Sequence, residues 1–259
     1  MFKLKIAITG SKGFLGKEIV KLCKLKNYEI TQYSLRNSKN YSSFLKDVSK
    51  KKFDIIFNSA ASLNPKSNYD FYINENLPRD IQNHSKFKAK LIHISSINVN
   101  DKFNLCDPYT LSKKNAEKNL IKKNLLIVRP SLIINDFYGV SNKIFDRYTS
   151  LPINYFPMIY PGNTYAPVQV SKLASFIVNL FQDNKEEFME INIQGKKKMD
   201  FWMIFNNYCK KRNLKAMKIN IKFLNIILPP YIKKQFLKKS SLHNFLTIDR
   251  RLKKNVISI

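Results

Sequence analysis

The sequence predicts an α/β protein with a doubly wound parallel sheet and a smaller C-terminal lobe. Three observations carry this. A strand-like run at the very start leads through a glycine-rich turn into a helical pattern, and three of the chain's six glycines fall in that turn. Apolar strand-like runs then alternate with helical patterns as far as Ser131, as in βαβ units whose parallel sheet is covered on both faces. Beyond Ser131 that alternation thins out. The 259 residues, 44% of them hydrophobic, suffice for a substantial core.

The first strand is KLKIAIT, Lys3 to Thr9. The turn that follows reads Gly10-x-x-Gly13-x-x-Gly16, and Ile19, Val20, Leu22 and Cys23 then recur at helical spacing. Gly10 allows a tight turn, Gly13 a close backbone approach to a pyrophosphate, and Gly16 close packing of helix on sheet. The helix N-terminus offers free N–H groups and a partial positive charge to phosphates. The turn therefore predicts a Rossmann-type dinucleotide site built from Gly10, Ser11, Lys12, Gly13, Phe14, Leu15 and Gly16. The second strand, Tyr28 to Leu35, has no acid at its end to take the ribose of NAD; Ser34 and Arg36 stand there instead. An arginine suits a 2′-phosphate, so the expected cofactor is NADP or NAD, with a lean to NADP. Next come the strand FDIIFNSAA (Phe53 to Ala61), a helix around Asp70 to His84, the strand KLIHISS (Lys90 to Ser96), a helix around Tyr109, and the strand LLIVRPS (Leu125 to Ser131). Sites in such sheets lie outside the carboxyl ends of the strands. Gly10, Ala60, Ser95, Ser96 and Arg129 are all at or near such ends.

In the stretch CDPYTLSKKNAEK, Asp107 is a good N-cap, Pro108 suits the first helical position, and Tyr109 precedes Lys113 by four residues, on one helix face. A strand end and the start of the following helix share one edge of a parallel sheet, so Ser96, Tyr109 and Lys113 converge. The ammonium is expected to lower the phenol's pKa and make Tyr109 a usable acid or base. Ser96 is expected to hydrogen-bond the substrate oxygen.

These motifs together resemble the extended short-chain dehydrogenase/reductase superfamily, specifically its NAD-dependent epimerase/dehydratase family. TGSKGFLG is similar to the family's TGxxGxxG. FNSAAS resembles its strand-end motif beside the cofactor, with Ala60 and Ala61, and INENLP supplies the structural asparagine, Asn74. HISSINV carries the active-site serine, best matched by Ser96, and YTLSK carries the Tyr/Lys pair. VRPS, APVQVSKLASFIV and MEINIQG resemble later segments. The resemblance implies catalytic Ser96, Tyr109 and Lys113, with Lys113 also holding the nicotinamide ribose. It implies a hydride moved between NAD(P) and a sugar carbon, most naturally C4 of a nucleoside-diphosphate sugar, by an epimerase or a 4-keto reductase in polysaccharide synthesis. Ile97 and Asn98 stand where family dehydratases carry an Asp-Glu pair, which disfavours dehydration. Lys172 replaces a usual aspartate. Only 13 positions separate Ser96 from Tyr109, against a longer loop in many members. The expected layout is a cofactor domain over 1–135 with a return around 164–195, and a mainly substrate-binding lobe over 136–259. In that lobe Tyr160, Asn163 and Tyr165 of the loop Ile159 to Pro167 are the expected substrate contacts.

The net charge is +28, and from Gly195 to Ile259 there are 17 Lys/Arg against two Asp/Glu. Spread over many elements, this charge predicts no specific nucleic-acid partner; a catalytically inactive nucleotide-sensing or polyanion-binding module is the competing reading. The basic amphipathic segment Lys222 to Lys239 allows contact with an anionic membrane surface. No apolar run reaches the roughly 20 residues of a membrane span, and no signal-peptide pattern opens the chain. Cys23, Cys106 and Cys209 are few and scattered, as for reduced thiols in the cytoplasm. The three histidines show no metal-ligand spacing. A homodimer is the oligomeric expectation carried by the resemblance.

Overall fold

A computed structural model describes residues 3–35, 37–100, 107–137, 139–140, 144–153, 155–160, 162–183, 187–220, 251–252 and 255–259. The chain divides into two compact units: Met1–Pro130 with Val170–Ile193, and Ser131–Gln169 with Gln194–Ile259.

In the first unit β1 (Lys5–Thr9) leads through the glycine turn to α1 (Phe14–Leu25). There follow β2 (Glu29–Tyr33), α2 (Ser38–Lys50), β3 (Ile55–Asn58), α3 (Asn68–Glu75), α4 (Leu77–Ser85) and β4 (Lys90–Ile94). A 3-10 turn (Ile97–Val99), α5 (Pro108–Lys118) and β5 (Leu125–Pro130) complete the first pass. The strands lie parallel in the order β5-β4-β3-β1-β2. This is the predicted doubly wound sheet.

Strand alternation sorts the sheet's side chains between two faces. By register, Ala7, Ile56, Leu91 and Leu125 share one face. They form one core with Tyr41, Phe44, Leu45 and Val48 of α2, Ile73 of α3, and Leu77 and Ile81 of α4. Ile6, Ile8, Phe57 and Ile92, buried on the other face, lie on the side of Phe181, whose ring is 5.6 Å from that of Phe57.

The single helix expected around Asp70 to His84 is two. A capping box of Ser67 and Asp70 starts α3. It ends at Glu75 because Pro78 has no N–H to continue the ladder, and Pro78 instead serves the first turn of α4.

In the second unit, β6 (Ile133–Ile134), α6 (Ile144–Thr149), β7 (Tyr155–Tyr160), β8 (Thr164–Tyr165) and β9 (Val168–Gln169) come first. The chain then passes to the first unit for α7 (Val170–Asp183) and β10 (Phe188–Gln194). β10 lies beside β5 in parallel register. It returns as β11 (Met199–Asp200), α8 (Phe201–Lys211) and β12 (Lys215–Asn220). β12 pairs in parallel with β7, and Phe145, Phe156, Ile204, Phe205 and Tyr208 make an aromatic core.

Candidate functional site

The glycine turn is sterically closed to side chains. Gly10 has φ +66°, and a Cβ there would lie 2.7 Å from both the Ala60 nitrogen and the Ser59 carbonyl carbon. A Cβ on Gly16 would lie 2.2 Å from the Gly10 carbonyl oxygen. That oxygen already accepts the Gly13 N–H at 2.8 Å. Gly13 is the N-cap of α1 and, having no side chain, leaves the helix start uncapped; no acid lies in the first turn. Free backbone donors at a positive helix end beside a cradle without side chains fit a pyrophosphate. Ser11, Leu15 and Gly16 are buried, Phe14 is half-buried and Lys12 is exposed. At the end of β2, Ser34 is half-buried and no carboxylate follows Tyr33 before position 36. Arg36 lies outside the described residues, as do Cys106 and the segment Lys222 to Lys239.

Asn74 is a structural clamp. Fully buried, it accepts from the Ser62 N–H at 2.8 Å and donates to the Ser62 carbonyl at 2.9 Å and the Ser112 hydroxyl at 3.0 Å. Ser112 in turn donates to the Tyr109 carbonyl at 2.7 Å. The loop holding buried Ala60 and exposed Ala61 is thereby tied to the first turn of α5. Asp107 caps that turn, accepting from the Thr110 N–H at 3.0 Å.

Lys113 is 1% exposed, and its ammonium donates to the Ile94 carbonyl at 2.9 Å, at the carboxyl end of β4. Burial lowers its pKa from 10.5 to about 8, against an opposing pull from Glu117. Ser96, two residues past Ile94, caps the 3-10 turn: its hydroxyl oxygen accepts from the Asn98 N–H at 3.2 Å. Lys113 and the Ser96 segment therefore meet at one sheet edge. Tyr109 is half-buried in the same helix turn. Its phenol is held above its usual pKa, by burial first and by the Asp107 carboxylate second. The expected lowering by Lys113 is overturned, because burial of the phenol and the Asp107 carboxylate outweigh it. Arg129 instead serves α5: its guanidinium holds Glu117 at 2.7 Å and Glu190 at 2.9 Å.

Sequence reasoning missed a buried polar row beside this edge. Thr9 donates to the Asn58 side-chain oxygen at 2.8 Å, and the Asn58 amide lies 3.2 Å from His93 Nδ1. With Asn58 donating, His93 carries its proton on Nε2. Burial and nearby Lys113 keep the imidazole neutral. His93 Nε2 and the Ser95 hydroxyl are buried without a partner among the described residues. The available signal was polar residues closing three otherwise apolar strands. Ser112, next to Lys113, carried no signal of its own.

In the second unit, buried Asn163 donates to the Tyr165 hydroxyl at 3.2 Å. Tyr160 sits apart from that pair as a partner of Trp202, ring centroids 6.3 Å apart, with the Lys218 ammonium 3.9 Å from its ring.

The sheet order, the alternation of parallel strands with helices and the glycine turn define a Rossmann-type α/β protein. No protein-family model matches the chain, and no curated protein matches it in sequence. Solved structures do match. A dTDP-4-dehydrorhamnose reductase from Bacillus anthracis in complex with NADP is 18% identical, with 86% of each chain covered and a TM-score of 0.71. A dTDP-glucose 4,6-dehydratase from the same organism in complex with NAD is 17% identical, with 84% of each chain covered and a TM-score of 0.66. A UDP-glucose 4-epimerase with UDP-glucose from Thermotoga maritima is 16% identical; 84% of this chain and 85% of that one are covered, with a TM-score of 0.68. The chain shares the fold of these nucleotide-sugar enzymes.

Proposed function

We propose that this chain is an NAD(P)-dependent oxidoreductase or epimerase of the short-chain dehydrogenase type, acting at C4 of a nucleoside-diphosphate sugar in polysaccharide precursor synthesis. The observation that carries the reading is the pairing of a glycine cradle closed to side chains with a buried lysine whose ammonium donates to the Ile94 carbonyl at the same sheet. The fold neighbours named above include a reductase, a dehydratase and an epimerase of nucleotide sugars, and complexes with both NADP and NAD. Ile97 and Asn98 lack the carboxylates that would assist loss of water, which leaves reduction or epimerisation.

The Gly10–Gly16 turn would hold the cofactor's pyrophosphate, with Ser34 and Arg36 near its adenosine ribose. When bound, the nicotinamide supplies and takes back the hydride. Tyr109 moves the proton at the substrate oxygen. Ser96 already accepts a hydrogen bond from Asn98, so its own O–H is left to donate to that oxygen. Lys113 spends one of its three N–H groups on Ile94 and has two left for the ribose. Asn74, engaged by Ser62 and Ser112, positions the cofactor loop. Tyr160, Asn163 and Tyr165 are the proposed contacts to the sugar nucleotide. The enzyme works in the cytoplasm.

A thermal-shift series with NAD and NADP, followed by hydride transfer with 4-keto nucleotide sugars and epimerisation of the parent sugars, tests the reading. A cofactor that binds only the folded chain raises its melting temperature. No shift with either cofactor at millimolar concentration sinks it.

A further inference from the structure

The second unit carries 19 lysines and arginines against four carboxylates. No aspartate or glutamate occurs from Arg147 to Gln169, nor from Phe201 to Ile248. These stretches include β7, α8 and β12.

The β7–β12 ribbon has two unlike faces. Phe156 and Met158, with Ala216 opposite, turn toward the aromatic core. By alternation, the other face presents Tyr155 and Pro157 of β7 and Lys215, Met217 and Ile219 of β12. Tyr155 and Met217 on this face, and Leu151 and Ile153 on the approach to it, are each 43–55% exposed. The Lys215 ammonium lies 5.4 Å from the Tyr155 ring. Lys218 shares the core face with Met158 and lies over the Tyr160 and Trp202 rings, so Lys215 is the cation of the outer face, and among the described residues no carboxylate pairs with it. The face therefore combines exposed apolar side chains with a lysine, on a unit whose excess of cations is 19 − 4 = 15, a combination that marks an interaction surface.

From this juxtaposition we propose that the β7–β12 face docks the protein on an anionic phospholipid bilayer surface. The headgroup region takes both parts of the face at once: phosphates meet Lys215 in the field of the unit's excess positive charge, while the interfacial zone takes Leu151, Ile153, Met217 and the amphipathic ring of Tyr155. A polynucleotide would use the cations and leave the aliphatic side chains in water. A second copy would bring two units, each with 15 more cations than carboxylates, against one another. The proposal is independent of the enzymatic reading.

The test is co-sedimentation of the full chain with phosphatidylcholine vesicles, with and without about 30% phosphatidylglycerol, near physiological salt. A chain of +28 attracts any anionic surface, so face-specific variants decide the matter. The expected result is binding to the anionic vesicles alone, reduced about tenfold in Tyr155→Ser/Met217→Ser and in Lys215→Glu. Lys21→Glu/Lys24→Glu on α1 should bind within about twofold of wild type. Absent vesicle binding overturns the proposal. So does equal binding by the Tyr155/Met217 variant, equal loss in the α1 variant, or tighter binding to duplex DNA that the Tyr155/Met217 change also abolishes. Unchanged melting temperatures, and unchanged NAD(P) shifts where wild type gives one, keep misfolding apart from these outcomes.

Discussion

Replacing Lys113 by methionine should make the ligand-free protein more stable while removing its activity. The lysine is fully buried, and its pKa falls from 10.5 to about 8. That fall corresponds to roughly 3 kcal/mol of unfavourable charge burial near neutrality. Methionine keeps the unbranched stem and carries no charge. It forfeits the bond to the Ile94 carbonyl, worth about 1 kcal/mol. The net gain is about 2 kcal/mol, or about 4–8 °C in melting temperature for a chain of this size. The pH dependence follows from the direction of the shift. Between pH 8 and 10.5 the unfolded chain keeps the Lys113 proton that the folded chain has lost, so wild-type stability rises with pH. The penalty is therefore complete below pH 8 and relieved as pH approaches 10.5. Melting curves of both proteins at pH 7 and pH 10 should show a gap that has mostly closed at the higher pH. The gap, being a difference between the two proteins, cancels every other titrating group. A methionine variant less stable than wild type at pH 7 would refute the reasoning, since Lys113 would then be a net structural asset.

Tyr109→Phe removes only a hydroxyl, so melting temperature and cofactor shifts should hold while turnover falls about 10²–10⁴-fold in a hydride-transfer assay; full turnover would return α5 to an ordinary structural role. Gly16→Ala places a Cβ 2.2 Å from the Gly10 oxygen and should cost about 1–3 kcal/mol and the NAD(P) thermal shift, although alanine is the better helix former; a stabilised variant would contradict the closed cradle. Asn74→Ala strands the Ser62 N–H and the Ser112 link and should lower stability by about 2–4 kcal/mol in urea titrations, whereas a change under 0.5 kcal/mol would mean the loop is held elsewhere.

The glycine turn was legible because its local context, strand before and helix after, is written in adjacent residues. Asn74 was legible only by resemblance, and what it holds, Ser62 and Ser112, lies 12 and 38 positions away. The break between α3 and α4 was in plain view at Pro78, but the helical pattern runs through it. The Thr9–Asn58–His93 row was not legible, since register between strands decides which polar residues meet. The four-residue spacing put Tyr109 and Lys113 on one helix face and said nothing of what desolvates them. That is why the expected effect of Lys113 on the phenol does not appear in the ligand-free chain.

Burial acts on both groups in the same sense, driving each toward its neutral form. For Tyr109 that means a phenol holding its proton throughout the neutral range. Its raised pKa also makes it a weaker acid than an ordinary phenol. The two reactions proposed for this site ask different things of it. Reduction of a ketone asks Tyr109 to give a proton; epimerisation begins by asking it to take one. To start as a base, the phenol needs positive charge beyond what the ligand-free chain directs at it. An oxidised nicotinamide carries such a charge, as does a Lys113 ammonium released from Ile94. Burial therefore makes the phenol a weaker acid as well as a poor base, and either reaction depends on positive charge brought beside it.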